Sequence, residues 1–270
     1  MGKQTAVVVR QYNKDNPPEA LDVVTKDIPE PKAGMGVIEK LGPQPSKLPT
    51  ETARQKLKEG QRVVAVPWPS TEGEGTWQQY VAVPLENLVP VRDEVSNEDA
   101  SQYLVNPVTA LGFLEDLKIP KGKYLLQNAA NSVLGKEVIS LAKKQGIKTI
   151  NVVRRNEVIN ELKELGADEV INSKTDDIVA RVKEITGVYV PVVDLLWRDI
   201  TVRGFWLNVW LGRLPKDVKE QKLQEVMDLM ADGTIKPPPA RAKYPLKEVK
   251  KALEDAMSKS GSAGKVLLEG

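Results

Sequence analysis

The chain has 270 residues, of which 41% are hydrophobic and 28% charged, and 39 basic against 37 acidic side chains leave a net charge of +2. That length suffices for one large or two modest domains, and the charge balance argues against nucleic acid or an anionic membrane as the main partner. Cys and His are both absent, which excludes disulfides, thiolate nucleophiles and Cys/His zinc sites and leaves Tyr, Lys, Asp, Glu or water as proton donors.

No apolar run approaches the roughly 20 residues of a membrane span. Met1–Thr5 leads directly into the strand-like Ala6–Val9, so no signal or transit peptide is read ahead of the first element. Short β-branched runs follow at Leu21–Val24, Val37–Lys40, Val63–Val66 and Tyr80–Val83. Pro, Gly and Asn clusters separate them, and a small antiparallel barrel or sheet is the natural reading. Near Asn97 the pattern turns helical, with Ser96 as N-cap and Tyr103, Leu104, Leu111 and Leu114 at helical spacing up to Leu117. Asn106-Pro107 breaks this stretch in two, and Asn106 is a candidate cap for the second piece.

From Lys123 strands and helices alternate. Strands are expected at Tyr124–Asn128, Lys148–Val153, Glu169–Asn172 and Tyr189–Leu195, and helices at Ser132–Gln145, Glu157–Leu165 and Asp176–Ile185. Gly146 and Gly166 stand where helix C-caps belong. Such alternation requires a parallel sheet with right-handed crossovers, hence a Rossmann-like domain. A last strand, Thr201–Leu207, precedes an amphipathic helix over Asp217–Ala231, and Pro237-Pro238-Pro239 makes a stiff connector. The tail, helical over Leu246–Met257 and extended over Lys265–Leu268, is placed to return to the first domain.

The most informative local feature is the strand–turn–helix passage Tyr124–Gly135, where small residues lead from a buried strand into a helix. Its geometry sets helical N–H groups and the positive end of a helix dipole where a pyrophosphate can sit. Of the G-x-G-x-x-G fingerprint only Gly135 remains. The same turn also serves α/β domains that bind nothing. The next strand ends in Arg154-Arg155, where an acidic residue would select NAD and arginines suit a 2′-phosphate. Arginines at strand ends are also common on surfaces, yet the combination favours NADPH.

Gln127–Ser132 followed by Ile150-Asn151-Val152-Val153-Arg154 resembles the mitochondrial trans-2-enoyl-CoA reductases, a zinc-free branch of the medium-chain dehydrogenase/reductase superfamily. Further matches are Val8–Tyr12, Gly75-Thr76-Trp77, Asn106–Ala110, Arg203–Leu207 and Gly264–Leu268. The resemblance implies an α/β fold, a shortened Rossmann-like parallel sheet plus a truncated GroES-like β domain. Residues 107–236 would bind NADPH, and residues 1–106 with 237–270 would form the substrate and catalytic domain. It implies a mitochondrial enzyme of fatty acid synthesis that reduces 2-enoyl thioesters, with a tyrosine assisting protonation. Carried over by position, Asn131 and Ser132 face the pyrophosphate beside Val133 and Gly135, and Arg154 with Arg155 faces the 2′-phosphate. Asn106 and Thr109 lie beside the cofactor, and Phe205 and Trp206 line the pocket. From the residues alone, Trp206 reads rather as a core aromatic on a strand. The expected partners are an acyl thioester on coenzyme A or acyl carrier protein and a second copy of the chain, with neither nucleic acid, membrane nor metal. Without a transit peptide, the chain as given reads as a mature matrix or cytoplasmic form.

Two departures qualify this. Gly34 runs straight into Met35-Gly36-Val37, the far side of the family's glycine-rich return. Roughly 40 residues that would hold the catalytic tyrosine are missing, more than loop variation explains. After Val192-Val193-Asp194 about one βα unit is absent, leaving roughly five parallel strands where a complete domain has six. Val133 stands where the family has glycine, and its side chain would crowd the phosphates. None of the six tyrosines fills the lost position, with Tyr80 and Tyr103 the nearest substitutes to test. A non-catalytic relative, a shortened scaffold or a plain NADPH-binding module are therefore the rival readings.

Overall fold

The computed structural model describes residues 3–9, 21–27, 35–37, 40–41, 57–66, 82–84, 87–187, 205–258 and 264–269. The chain divides into two compact units, Met1–Ser101 with Pro238–Gly270, and Gln102–Pro237.

The first unit opens with β1 (Lys3–Val9) and β2 (Leu21–Asp27), paired antiparallel with Val9 opposite Leu21. β3 (Met35–Val37) pairs antiparallel with β4 (Lys40–Leu41), so that Val37 faces Lys40. The single strand expected over Val37–Lys40 is thus a reversal between two strands. Doubling back satisfies one edge of β3, while β6 (Ala82–Pro84) satisfies the other. β5 (Val63–Ala65) pairs with β7 (Leu88–Pro90), a strand that sequence reading missed because its proline cannot donate to a ladder. Leu57, Val83 and Leu88 form a small core, with Val63 and Ala65 packed on it. The Ser96 hydroxyl accepts from the Asp99 amide and caps α1 (Asn97–Ala100) as expected.

In the second unit α2 (Asn106–Leu117) does not use Asn106 as its cap. Val105 holds that position without a side-chain bond, and Asn106-Pro107 are the first helical residues. Proline is tolerated there because first-turn amides need no intrahelical acceptor. Then come β8 (Tyr124–Gln127), α3 (Val133–Gln145), β9 (Lys148–Val153), a 3₁₀ turn at Asn156–Val158, α4 (Ile159–Leu165), β10 (Glu169–Asn172) and α5 (Ile178–Thr186). The strands form a parallel sheet in the order β10-β9-β8. This is an α/β Rossmann-like arrangement, and three parallel strands of the expected five are among the described residues; Tyr189–Leu195 lies outside them. Ala130, Ile139, Val153, Val158, Leu162 and Ala167 make the core under α3 and α4. Gly166 closes α4 at φ 113°, a conformation that resists any side chain.

Residues 201–204 lie outside the described residues, but the rest of the strand expected over Thr201–Leu207 is not a strand: Trp206, extended at φ −129° and ψ 120°, is the N-cap of α6 (Leu207–Arg213), which Leu207 opens. α7 (Lys216–Ala231) follows. α2 packs against α3, α6 and α7. The chain then re-enters the first unit with β11 (Ala240–Pro245), α8 (Val249–Ser258) and β12 (Lys265–Glu269), β11 and β12 being parallel. β11 was not foreseen, since Ala-Arg-Ala-Lys-Tyr-Pro carries no β-branched residue.

Candidate functional site: the turn into α3

β8 ends at Gln127, and the chain reverses through residues 128–131 into α3. Ala129 takes a left-handed conformation, φ 49°, unusual for a residue with a side chain. The Ala130 amide donates to the Val152 carbonyl at 3.3 Å, tying the turn to the neighbouring strand, and the Ser132 amide donates back to Ala129 at 2.8 Å. The Ser132 hydroxyl accepts from the Gly135 amide at 3.0 Å and caps the helix. This leaves the amides of Val133 and Leu134 without intrahelical acceptors at the positive end of the dipole.

Gly135 has no alternative here. A Cβ would stand 2.6 Å from the Ala130 carbonyl oxygen and 2.9 Å from that of Ala129, both backbone atoms that cannot yield. Asn131 holds a buried Oδ1 with no hydrogen-bond partner. An uncompensated acceptor of this kind costs about 1–3 kcal/mol, and a ligand donor such as a ribose hydroxyl would relieve it. Val133 is half-buried on the first turn.

Arg154 and Arg155 follow β9, both exposed, and β9 lies beside β8 in the parallel sheet. Neither guanidinium has an ion-pair partner among the described residues. The turn and the arginine pair therefore occupy the carboxyl ends of adjacent parallel strands, where open α/β sheets bind ligands. Small residues, a capped helix start, an orphaned acceptor and two unpaired cations fit a phosphorylated dinucleotide.

The other expected positions are distributed differently. Asn106 and Thr109 lie half-buried in the first turn of α2, a helix that packs on α3. Phe205 stacks into an aromatic cluster, its ring 4.6 Å from Phe113 and 6.2 Å from Trp210. Trp206 is 67% exposed, so the core reading of this residue is overturned. Trp210, one turn later, is the buried indole at 5% exposure. Tyr103 is fully buried, and its hydroxyl donates to the Leu223 carbonyl. Locked in this way it is a packing residue, not a substitute acid. Tyr80 lies outside the described residues. Gln127 and Asn151 entered the sequence reading only as members of the resembling motifs, without a role; the signal for one was an amide side chain at each of two positions in otherwise largely apolar strands. Among the described residues no group of His, Cys, Asp or Glu could hold a metal.

Two family profiles, each described as a zinc-binding dehydrogenase, match residues 133–194 and 197–268. The mitochondrial enoyl-[acyl-carrier-protein] reductase of Caenorhabditis elegans is 32% identical over 245 residues, covering 75% of this chain and 69% of the relative. The chain belongs to the enoyl reductase family of the medium-chain dehydrogenases/reductases. Family members of the same name from Arabidopsis thaliana and Homo sapiens are each 29% identical, covering 74% and 78% of this chain and 64% and 67% of their own length. The 245 positions aligned with the worm enoyl reductase take in only 75% of 270 residues, about 200. So roughly 40 of the aligned positions have no counterpart in this chain. The fold is shared with a Pseudomonas syringae quinone oxidoreductase, TM-score 0.73 at 19% identity, covering 99% of this chain and 100% of the other. A mycobacterial protein solved in complex with NADPH gives TM-score 0.71 at 18% identity, covering 98% and 100%.

Proposed function

We propose that this enoyl reductase relative binds NADPH on the turn into α3 and reduces 2-enoyl thioesters, carried on coenzyme A or acyl carrier protein, far more slowly than complete relatives do. The observation that carries the reading is the pairing of the α3 start with Arg154-Arg155 on adjacent strand ends. NADPH would supply the hydride. The chain's own part is to hold the pyrophosphate on the Val133 and Leu134 amides under the Ser132 cap, and the 2′-phosphate on Arg154 and Arg155. Arginine forks meet phosphate bidentately, which is why they outperform a lone hydrogen bond. Asn131 would orient the adjoining ribose, with Asn106 and Thr109 beside the cofactor and Phe205 and Trp206 toward the acyl chain. The names of the curated relatives favour a mitochondrial setting and fatty acid synthesis.

A second reading is a non-catalytic NADPH-binding relative. It is favoured by the deficit of aligned positions and by Tyr103, whose hydroxyl is committed to the Leu223 carbonyl. The deciding experiment is titration with NADPH and NADH, read by tryptophan fluorescence and by the melting temperature. At a hundredfold excess over Kd, bound NADPH should stabilise the fold by about 2.7 kcal/mol. Binding without oxidation of NADPH by a 2-enoyl-CoA selects the second reading, and absence of binding removes both.

A further inference from the structure

The α3 turn is held from beneath by a hydrogen-bonded chain that crosses the sheet. Gln127, the last residue of β8, donates through Nε2 to the Asn151 Oδ1 at 2.8 Å and to the Gly135 carbonyl at 3.1 Å. Asn151 is wholly buried, and its Nδ2 donates to the Thr149 hydroxyl at 2.9 Å and to the Glu169 carbonyl at 3.0 Å. Both protons of each amide nitrogen are engaged. The path therefore runs from β10 through β9 and β8 into the first turn of the helix. Apolar packing of a helix on a sheet is non-directional, whereas these bonds have direction and fix the turn in one place.

We propose that Gln127 is a positioning residue, setting the α3 amides and, through Asn151 three residues before Arg154, the arginine end of β9 at a fixed spacing for the dinucleotide. Gly135 is clamped on three sides: its amide by Ser132, its carbonyl by Gln127, and its Cα by the backbone of Ala129 and Ala130. Removing the Gln127 donor frees the carbonyl side and leaves the buried Asn151 Oδ1 without a partner. The first turn then shifts against the sheet, and the site common to NADPH and NADH loosens, while the arginine pair still discriminates between them. This inference rests on the reading that the turn holds NADPH.

The test compares the parent with Gln127→Met, which keeps length but cannot donate, and Gln127→Glu, which regains one donor only when protonated. Amide hydrogen exchange in the cofactor-free chain is expected to accelerate about tenfold over Ser132–Lys136 in Gln127→Met, with Ile171 and Leu162 unchanged, and both NADPH and NADH should weaken by a similar factor. Their affinity ratio should stay constant. In Gln127→Glu the defect should shrink as pH falls through the carboxyl range, a profile that a merely structural role would not produce. Unchanged exchange in Gln127→Met, or faster exchange with unaltered affinity, overturns the proposal. Failure of the parent to bind either dinucleotide overturns the cofactor reading instead, and the exchange data still decide whether Gln127 holds the turn.

Discussion

Among the described strands of Gln102–Pro237 each meets its neighbour after a single α-helix: α3 joins β8 to β9, and α4 joins β9 to β10. In Met1–Ser101 with Pro238–Gly270 the described strands form four small sheets, β1-β2, β4-β3-β6, β5-β7 and β11-β12, several with distant partners. Local connectivity lets the second unit specify its pairing by short-range signals, caps and turn glycines, each visible in a few residues. The first unit depends on pairings that span tens of residues, the kind most exposed to loss of an intervening segment. The join at Gly34–Met35 falls in that unit. On the proposed reading, cofactor binding rests on the second unit, despite Val133 and the shortening after Asp194, and the lost proton delivery on the first.

The largest effect that would break this division is turnover. A positioned acid contributes about 10²–10⁴-fold, so steady-state oxidation of NADPH with a 2-enoyl-CoA should run at least that far below a complete relative. A rate on the order of 10 per second would show that the first unit still supplies its acid. Next is cofactor choice. Arg154→Ala should remove about 1.5–3 kcal/mol of NADPH affinity and little of NADH affinity, as calorimetric titration would reveal; equal parent affinities would refute the assignment. Gly135→Ala tests the packing of the second unit, and the overpacked backbone should cost about 1–3 kcal/mol in urea unfolding.

Smaller effects sharpen the picture. Val133→Gly should tighten NADPH binding by admitting the phosphates, while costing up to about 1 kcal/mol of fold stability. Weaker binding would move the site elsewhere. The smallest concerns Asp232. Burial works against its charged form, but hydrogen bonds from Lys144 at 2.5 Å and from Thr234 prevail and hold its carboxyl below the ordinary 3.8. A depressed carboxyl stabilises the fold above its unfolded value and loses that contribution as pH falls through the folded value. The melting-temperature gap between the parent and Asp232→Asn should therefore be small at neutral pH and shrink further as pH falls below the ordinary carboxyl value. The carboxylate is half-exposed, which keeps the gap modest.

The parts of the fold legible in sequence were those encoded over one or two turns. Ser96, Ser132, Gly146 and Gly166 announced helix ends because capping is a local bargain between a side chain and unpaired amides or carbonyls. Leu207 misled because Phe-Trp-Leu has strand propensity, yet packing of Phe205 on Phe113 and Trp210 settles a helix after Trp206. β11 was hidden for the opposite reason. Its residues have weak propensity, and its partner β12 lies some twenty residues onward. In the candidate site, spacing revealed Ser132, Gly135 and Arg154, whereas the Gln127–Asn151 bond required knowing which residues face each other across two strands.

The first unit is made from both ends of the chain, with β1 lying against Leu246–Glu248 and β2 against α8. During translation, at about 5–20 residues per second, the β1–β2 pair must wait on the order of ten seconds or more for those residues to emerge. All of Gln102–Pro237 leaves the ribosome sooner and can close on itself. A two-stranded pair alone is marginal in water, so the nascent chain spends that interval with a finished α/β unit tethered to an unfinished one, the window in which a chaperone or a protease would choose its fate.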